Sequence, residues 1–272
     1  MMDTNILTID TEDWFQVFYG SKAIPRENWT AVEPKIAQMV DSVLDLLSRN
    51  QTPATFFIVG WIAERNPSLI RLIAGEGHEI ASHSHWHTEV FRQSRSAFAK
   101  DVRRAKHCLE DAGGVPVKGF RAPGFSIRKT EEWALDAILE AGHAYDSSLL
   151  YVSEPFGEIR PSLYEVAPNS INVFGTWLPT NGGFFFRMVP YALYKPYVSF
   201  LNARNKPLVF YTHTWEIFLE YPRLPMSWHK RFIQYTNLRG VKTKIERLCR
   251  DFKFTTVENY YFSKQQNHDE ID

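Results

Sequence analysis

The sequence predicts an α/β fold built on a parallel sheet, and three observations carry that expectation. Short continuous apolar runs alternate with amphipathic stretches at helical spacing. The polar residues able to do chemistry follow the apolar runs. No repeat, linker or low-complexity segment divides the 272 residues. Strand, polar strand end, helix and next strand, repeated, is the pattern of βαβ units. A chain of this length buries roughly 70 to 75 per cent of its extended surface, which favours one large domain.

The elements follow in order. Asn5 to Asp10 reads as a buried first strand that delivers Asp10-Thr11-Glu12-Asp13 at its carboxyl end. Glu33 to Arg49 places Ile36, Met39, Val40, Val43, Leu44 and Leu47 on one helical face, with Pro34 tolerated in the first turn. Thr55 to Val59 is a short apolar run, as in a strand covered on both faces. Ser68 to Ala74 forms a short helix released by Gly75 and Gly77. The next strand starts at Glu79 and ends in His83-Ser84-His85-Trp86-His87. Ser94 to Ala112 carries Phe98, Val102, Ala105 and Leu109 in helical register and stops at Gly113-Gly114. Val117 to Phe120 leads to Arg121-Ala122-Pro123-Gly124. Thr130 opens a helix that runs to Ala141, with Glu131 and Glu132 at its positive end; Asp146 follows on the next strand.

Residues 151–206 break this rhythm and read as an irregular insertion of extended pieces and hairpins, Gly182 to Arg187 among them, followed by a helix from about Pro190 to Leu201. Pro207 to Tyr211 resumes the buried-strand character and presents Thr212-His213. Asn237 to Cys249 is a basic helix, Phe254 to Val257 a last short strand, and the tail after residue 262 is expected to fray.

Composition narrows the function. Basic and acidic residues balance at 31 each, so no global charge draws the chain to nucleic acid or an anionic membrane. No window reaches a membrane span, and the start has no basic, apolar leader, so a cytoplasmic location is expected. The two cysteines, Cys108 and Cys249, fit buried thiols in a reducing compartment. Aromatic residues are frequent, and those beside polar residues in Asp13-Trp14-Phe15, His85-Trp86 and His213-Thr214-Trp215 suit either stacking on sugar rings or packing around a pocket.

The histidine stretch suggests a metal. If the chain turns helical beyond His83, then His83 and His87 share a face and can aim at one ion. Two imidazoles do not suffice for zinc, and the Asp10-to-Asp13 cluster is the evident source of a carboxylate. Each motif alone has a duller reading: a wet histidine turn, an aspartate in a turn, a chance Arg-x-Pro. Their number and order carry the argument.

An acidic motif, His-Ser-x-x-His, Arg-x-Pro, an aspartate at a strand end and a late histidine, in that order, resemble the polysaccharide deacetylases that share a domain with nodulation chitooligosaccharide deacetylases. The resemblance covers roughly Leu7 to Trp215. Asp10-Thr11-Glu12-Asp13-Trp14-Phe15, Gly182 to Arg187, His213-Thr214-Trp215-Glu216 and Phe254 to Val257 are similar to the subgroup encoded with exopolysaccharide or O-antigen biosynthesis. It implies a distorted (β/α) barrel, usually of seven parallel strands, and metal-assisted hydrolysis of an N-acetyl group on an amino sugar. By resemblance, Asp10 is the general base and His83 and His87 are ligands of a divalent ion, zinc being expected. The carboxylate ligand is Asp13 or Glu12, with the shorter Asp13 placed first. His213 resembles the general acid, Arg121 the arginine paired with the base, and Asp146 the acid that orients the catalytic histidine. The stretch Asp146-Ser147-Ser148-Leu149 departs from the family's commoner form and so bears on the shape of the acyl pocket. Trp14, Trp86, Pro123, Gly183, Phe184, Arg187 and Trp215 are the expected substrate contacts, with Arg187 available to a phosphate.

The expected partner is an amino-sugar saccharide or its nucleotide- or lipid-linked precursor, met by a protein associated peripherally with polysaccharide assembly. Two other readings stand beside this one: hydrolysis of a formyl or cyclic amide, and a carbohydrate-binding assembly factor without turnover.

Overall fold

The computed structural model describes residues 4–17, 23–150, 156–173 and 176–261. Its centre is β1 (Thr4–Thr11), buried after its first residue. Neighbours flank both its edges and side chains cover both its faces, so apolar residues occur without alternation. The buried polar Asn5 is satisfied: its Oδ1 accepts from Leu208 N at 2.7 Å and from Asn202 Nδ2 at 2.8 Å.

Along the chain follow α1 (Ile36–Arg49), β2 (Thr55–Ile58), α2 (Gly60–Arg65), α3 (Pro67–Gly75), β3 (Glu79–Ser82), α4 (Arg95–Gly113), β4 (Gly119–Phe120), α5 (Trp133–Glu140) and β5 (Tyr145–Asp146). Then come β6 (Phe156–Arg160), β7 (Leu163–Val166), β8 (Ser170–Val173), β9 (Thr176–Pro179), α6 (Gly183–Met188), α7 (Tyr191–Asn202) and β10 (Val209–His213). The last are α8 (Thr214–Ile217), α9 (Trp228–Tyr235), α10 (Val241–Asp251) and β11 (Lys253–Thr255).

The main sheet runs β10-β1-β2-β3-β4-β5-β7-β6, and β11 adds to the start of β1. Every ladder of this sheet among the described residues is parallel except β6–β7, and β8 and β9 form a separate antiparallel pair. The sheet curls into a half-barrel wrapped by helices, which bears out the (β/α) barrel; among the described residues it has nine strands, one of them antiparallel, where seven parallel strands were expected. Among the described residues no ladder joins β10 to β6, so the barrel is open there. The free edge of β10 is partly paired: Asn169 Oδ1 accepts from Val209 N at 2.7 Å, and Asn181 O accepts from Tyr211 N at 3.0 Å. Gly182 continues that pairing, and a Cβ there would lie 2.0 Å from Tyr211 O, so only glycine fits.

Three local expectations are corrected. The first helix starts at Ile36 and not at Glu33, because the carboxylate of Asp13 takes the N–H groups of Lys35 and Ile36. The segment after His83 is not helical: Ser84 (φ 61°) and His87 (φ 50°) adopt left-handed conformations. Gly182 to Arg187 is no hairpin. It forms α6, whose Phe186 is buried against Phe210 and Tyr194. The short helix α2, and α9, had no counterpart in the sequence reading. The expected fraying of the tail concerns residues outside those described.

Candidate active site

The carboxyl ends of β1, β3, β4 and β10 converge, as parallel architecture dictates. Asp10 and His213 are register partners on the β1–β10 ladder, and Asp10 is opposite Phe57 on β2. His83 and His87 follow β3, Arg121 follows β4, and Glu12 lies one residue beyond β1.

The histidine loop is held from both sides. Asp101 of α4 accepts from His85 N at 2.8 Å and from Trp86 N at 3.0 Å. Ser84 Oγ accepts from His87 N at 3.0 Å, and Gly60 N and Trp61 N of α2 donate to the carbonyls of Ser84 and His85. A Cβ on Gly60 would lie 2.8 Å from His85 Nδ1, so a glycine is required where the loop passes α2. The loop brings the rings of His83 and His87 to a centroid distance of 5.0 Å. His83 Nδ1 lies 2.8 Å from the Arg121 carbonyl oxygen, which can only accept, so Nδ1 carries the hydrogen and Nε2 offers a lone pair.

Glu12, His83 and His87 each present a ligand atom, and these atoms all lie within 4.8 Å of one another. Glu12 Oε2 is 2.7 Å from His87 Nε2 yet has no partner in hydrogen-bond geometry, although it is buried. A buried carboxylate oxygen and an imidazole nitrogen at that separation without an aligned N–H suit a shared cation, and the donor set of two nitrogens and one oxygen suits zinc. Glu12 Oε1 accepts from Trp215 Nε1 at 2.8 Å, and its backbone oxygen from Thr214 Oγ1 at 2.8 Å. Burial pushes this carboxyl up, but the neighbouring His87, then His213 and His83, bring it down to about 2.

Asp13, placed ahead of Glu12 from sequence, is not in this group. Its Oδ1 accepts from Trp14 N at 2.8 Å and its Oδ2 from Lys35 N at 3.0 Å, with Ile36 N also donating. The carboxylate is consumed in starting α1.

Arg121 is wholly buried. It donates through Nη1 to Asp10 Oδ1 at 2.7 Å and to Thr8 Oγ1 at 2.9 Å, and through Nη2 to Ser147 Oγ at 2.8 Å. Its guanidinium lies 4.0 Å from the Phe57 ring centroid. Burial alone would raise the Asp10 carboxyl; Arg121, His83 and His213 overcome that and hold it below its usual value. Asp10 is thus ionised, with Oδ1 engaged and Oδ2 left to face the cleft.

On the opposite flank His213 Nε2 lies 3.8 Å from Asp10 Oδ2 and 4.0 Å from Glu12 Oε1. Its ring stacks on Trp215 at 4.8 Å. His213 Nδ1 is 3.1 Å from Glu216 Oε2, which also accepts from His213 N at 3.1 Å and Thr212 Oγ1 at 3.0 Å. Burial disfavours the imidazolium, but Glu216, Glu12 and Asp10 outweigh it and raise His213 to about 9. Glu216 is the group that orients the imidazole. Sequence reasoning quoted it without giving it a role, although a carboxylate three residues after a strand-end histidine is a capping-box pattern.

Asp146, expected in that orienting role, is elsewhere. Its Oδ1 accepts from Ser148 Oγ at 2.6 Å, and across β5–β7 it pairs in register with Glu165. Burial raises both carboxyls, Glu165 well above its usual value because the Asp146 charge adds to the effect.

A cleft of about 390 Å³ opens over these groups, lined by Asp10, Glu12, His83, His87 and His213, with Phe125, Leu150, Tyr211 and Trp215 as apolar wall. Of the expected substrate contacts, Gly183, Phe184, Arg187 and Trp215 line it. Arg187 is not free for a phosphate: its Nε is 3.0 Å from Glu216 Oε1, and its other nitrogens donate to the carbonyls of Ile233, Gln234 and Thr236. Trp14 is buried, with Nε1 donating to Glu33 O at 3.2 Å and its backbone N–H donating to Asp13 Oδ1 at 2.8 Å. Trp86 lies outside the cleft between the guanidiniums of Arg26 and Arg104. Pro123 is buried beneath, and its neighbours Gly124 and Phe125 are the residues exposed to the cleft.

Residues 31–143 match the family described as polysaccharide deacetylase, and residues 151–262 match a domain of unknown function, DUF3473. A chitooligosaccharide deacetylase of Sinorhizobium fredii is 30% identical over 122 residues, 44% of this chain and 54% of that protein. One from Bradyrhizobium sp. is 36% identical over 123 residues, 44% of this chain and 53% of that protein. The chain therefore spans about half the length of these two curated relatives. Among solved structures, a Mycobacterium smegmatis protein assigned as a polysaccharide deacetylase superposes with a TM-score of 0.65 at 18% identity, covering 98% of this chain and 92% of its own. A family 4 carbohydrate esterase from Streptomyces lividans, in complex with acetate, gives 0.51 at 16% identity over 90% of this chain and 86% of its own. These two likenesses bear on fold alone. The part of the chain that carries the histidine loop, Arg121 and α1 through α5 is therefore similar to the polysaccharide deacetylases.

Proposed function

We propose that this protein is a metal-dependent hydrolase that removes the N-acetyl group from amino-sugar units of a saccharide. The observation that carries the reading is the clustering of Glu12, His83 and His87 beside an arginine-paired aspartate and a carboxylate-held histidine. Similarity to chitooligosaccharide and peptidoglycan-N-acetylglucosamine deacetylases supports this substrate class.

Glu12 Oε2, His83 Nε2 and His87 Nε2 would hold the ion. Bound there, a divalent ion lowers the pKa of water and polarises the acyl carbonyl. The chain's own groups do the rest. Asp10 Oδ2, ionised because Arg121 occupies Oδ1, takes the proton from the attacking water. His213, with Nδ1–H on Glu216, carries its transferable proton on Nε2 and gives it to the leaving amine nitrogen, so that no amide anion has to depart. Phe125, Leu150, Tyr211 and Trp215 offer the acyl methyl an apolar wall and limit water around the reacting atoms.

The subgroup motifs support a role in exopolysaccharide or O-antigen assembly, on the cytoplasmic side of the membrane. No helix among the described residues is long and apolar enough to cross a membrane. The test is acetate release from N-acetylated chitooligosaccharides by zinc-loaded protein, with and without chelator. Release that chelator abolishes and zinc restores supports the reading; formate release from formylated sugars in its place redirects it to another carbon–nitrogen bond.

A further inference from the structure

Helix α9 lies outside the deacetylase match and had no role in the sequence reading, yet it borders the cleft: Ile233 and Gln234 line it, together with Phe184 of α6. The Phe184 ring contacts Phe232 of α9 at a centroid distance of 5.8 Å. One turn further along α9 is Trp228, on the same face because four residues nearly complete a turn. Trp228 is 78% exposed, the most exposed large apolar side chain among the described residues, and Phe232 is 50% exposed. A row of three rings thus leads from the cleft outward, the last two about 6 Å apart along the helix axis.

This row is fixed in place. Arg187 caps the carboxyl end of α9 by donating to the carbonyls of Ile233, Gln234 and Thr236, and Tyr235 Oη accepts from Leu224 N at 2.9 Å. Because the helix is already ordered, a ligand that lies on it incurs little ordering cost. His229, Lys230 and Arg231 fill the turn between Trp228 and Phe232 and project from the other faces of α9, so the apolar surface is a narrow strip with a polar border. Pyranose rings have that same character, with apolar C–H faces and hydroxyl edges.

We infer that Phe184, Phe232 and Trp228 form a stacking track for successive sugar units, so that the substrate is an oligosaccharide of at least three residues and not a single nucleotide-linked sugar. The inference rests on the deacetylase reading for its substrate class. Its continuity with the cleft favours a saccharide over a lipid surface as occupant.

The test separates the two claims by reading binding alone. Full-length protein, stripped of metal by chelator so that turnover cannot obscure binding, is titrated calorimetrically with N,N′-diacetylchitobiose and with the N-acetylated pentamer. The pentamer is expected to bind about tenfold more tightly than the dimer, and Trp228→Ala and Phe232→Ala each to remove most of that gain. Both side chains are exposed, and matched melting temperatures establish that the variants are folded. Equal affinity for the two lengths, no pentamer binding, or a gain unaffected by both substitutions overturns the track. So does sedimentation with phosphatidylglycerol vesicles that is lost in Trp228→Ala while the length preference is not. A length preference that depends on Trp228, in protein that releases no acetate when zinc is restored, leaves the track standing and removes the catalytic reading.

Discussion

Asp10 and His213 stand opposite one another on a single rung of the β1–β10 ladder, with Asp10 Oδ2 and His213 Nε2 3.8 Å apart. Two strands adjacent in space and distant in sequence thereby place a carboxylate and an imidazole side by side next to the Glu12, His83 and His87 group. Parallel pairing makes this separation a property of the sheet. The chemistry depends little on loop conformation at these two positions.

Removing the donor should stop the reaction and spare the fold. His213→Ala is expected to lower kcat by about 10² to 10⁴ while zinc stoichiometry stays unchanged. Glu216→Gln tests how the imidazole is poised. The acid must be protonated, so activity declines as pH rises through the His213 pKa. That value is about 9 in the metal-free protein, raised largely by Glu216, and a bound divalent ion draws it down. Without the Glu216 charge the alkaline limb of kcat/KM should move to lower pH; an unmoved limb contradicts this assignment.

The two neighbouring acids after β1 have separable roles. Glu12→Gln should impair zinc uptake with little change in melting temperature. Asp13→Asn should keep the zinc and lose about 1 to 2 kcal/mol of stability, since its carboxylate accepts from the N–H groups that start α1. Denaturant melts paired with elemental analysis distinguish the two, and the opposite pattern would restore Asp13 as ligand.

Arg121→Met leaves Asp10 buried without its cation, and breaking such a pair costs roughly 3 to 5 kcal/mol. The double variant Asp10→Asn/Arg121→Met should be more stable than Arg121→Met alone, because the uncompensated charge has gone. Chemical denaturation of the four-member cycle measures the coupling, and strict additivity would mean that the pair does not interact.

His143 gives a pH dependence away from the site. Its ring is buried against Phe120, and burial, with the Lys106 charge adding to it, lowers it to about 3. Unfolded, it titrates near 6.5, so between these values the unfolded chain binds a proton that the folded chain does not. Its contribution is therefore complete above pH 6.5 and declines as pH falls, by up to about 1.4 kcal/mol per unit. Between pH 6.5 and 5 the stability of His143→Leu should fall less steeply than that of the parent chain; parallel curves would count against it.

Much of this was legible in the sequence because parallel sheets tie chemistry to strand ends. An apolar run followed by Asp10, His83, Arg121 or His213 locates both the strand and the side of the sheet that carries the site. What stayed hidden depended on contacts between distant segments. Asp13 and Glu12 are equally acidic, and only the return of the chain at Lys35 shows that Asp13 is occupied. Asp146 has the right residue type at a strand end, but its neighbour on β7 is Glu165, so it pairs there and leaves Glu216 to hold His213. Spacing gave His83 and His87 a shared target but the wrong backbone, because left-handed turns at Ser84 and His87 do in the loop what a helix would have done. The phenylalanines after Gly183 have strand propensity, yet packing of Phe186 against Phe210 makes them helical.

The central claim is that Glu12, His83 and His87 hold one divalent ion beside Asp10 and His213. Anomalous scattering at the zinc edge from a zinc-loaded crystal tests it most directly. The account predicts a single strong peak about 2.0 to 2.2 Å from Glu12 Oε2, His83 Nε2 and His87 Nε2. A peak at Asp13, or no peak among these three side chains at saturating zinc, would contradict it.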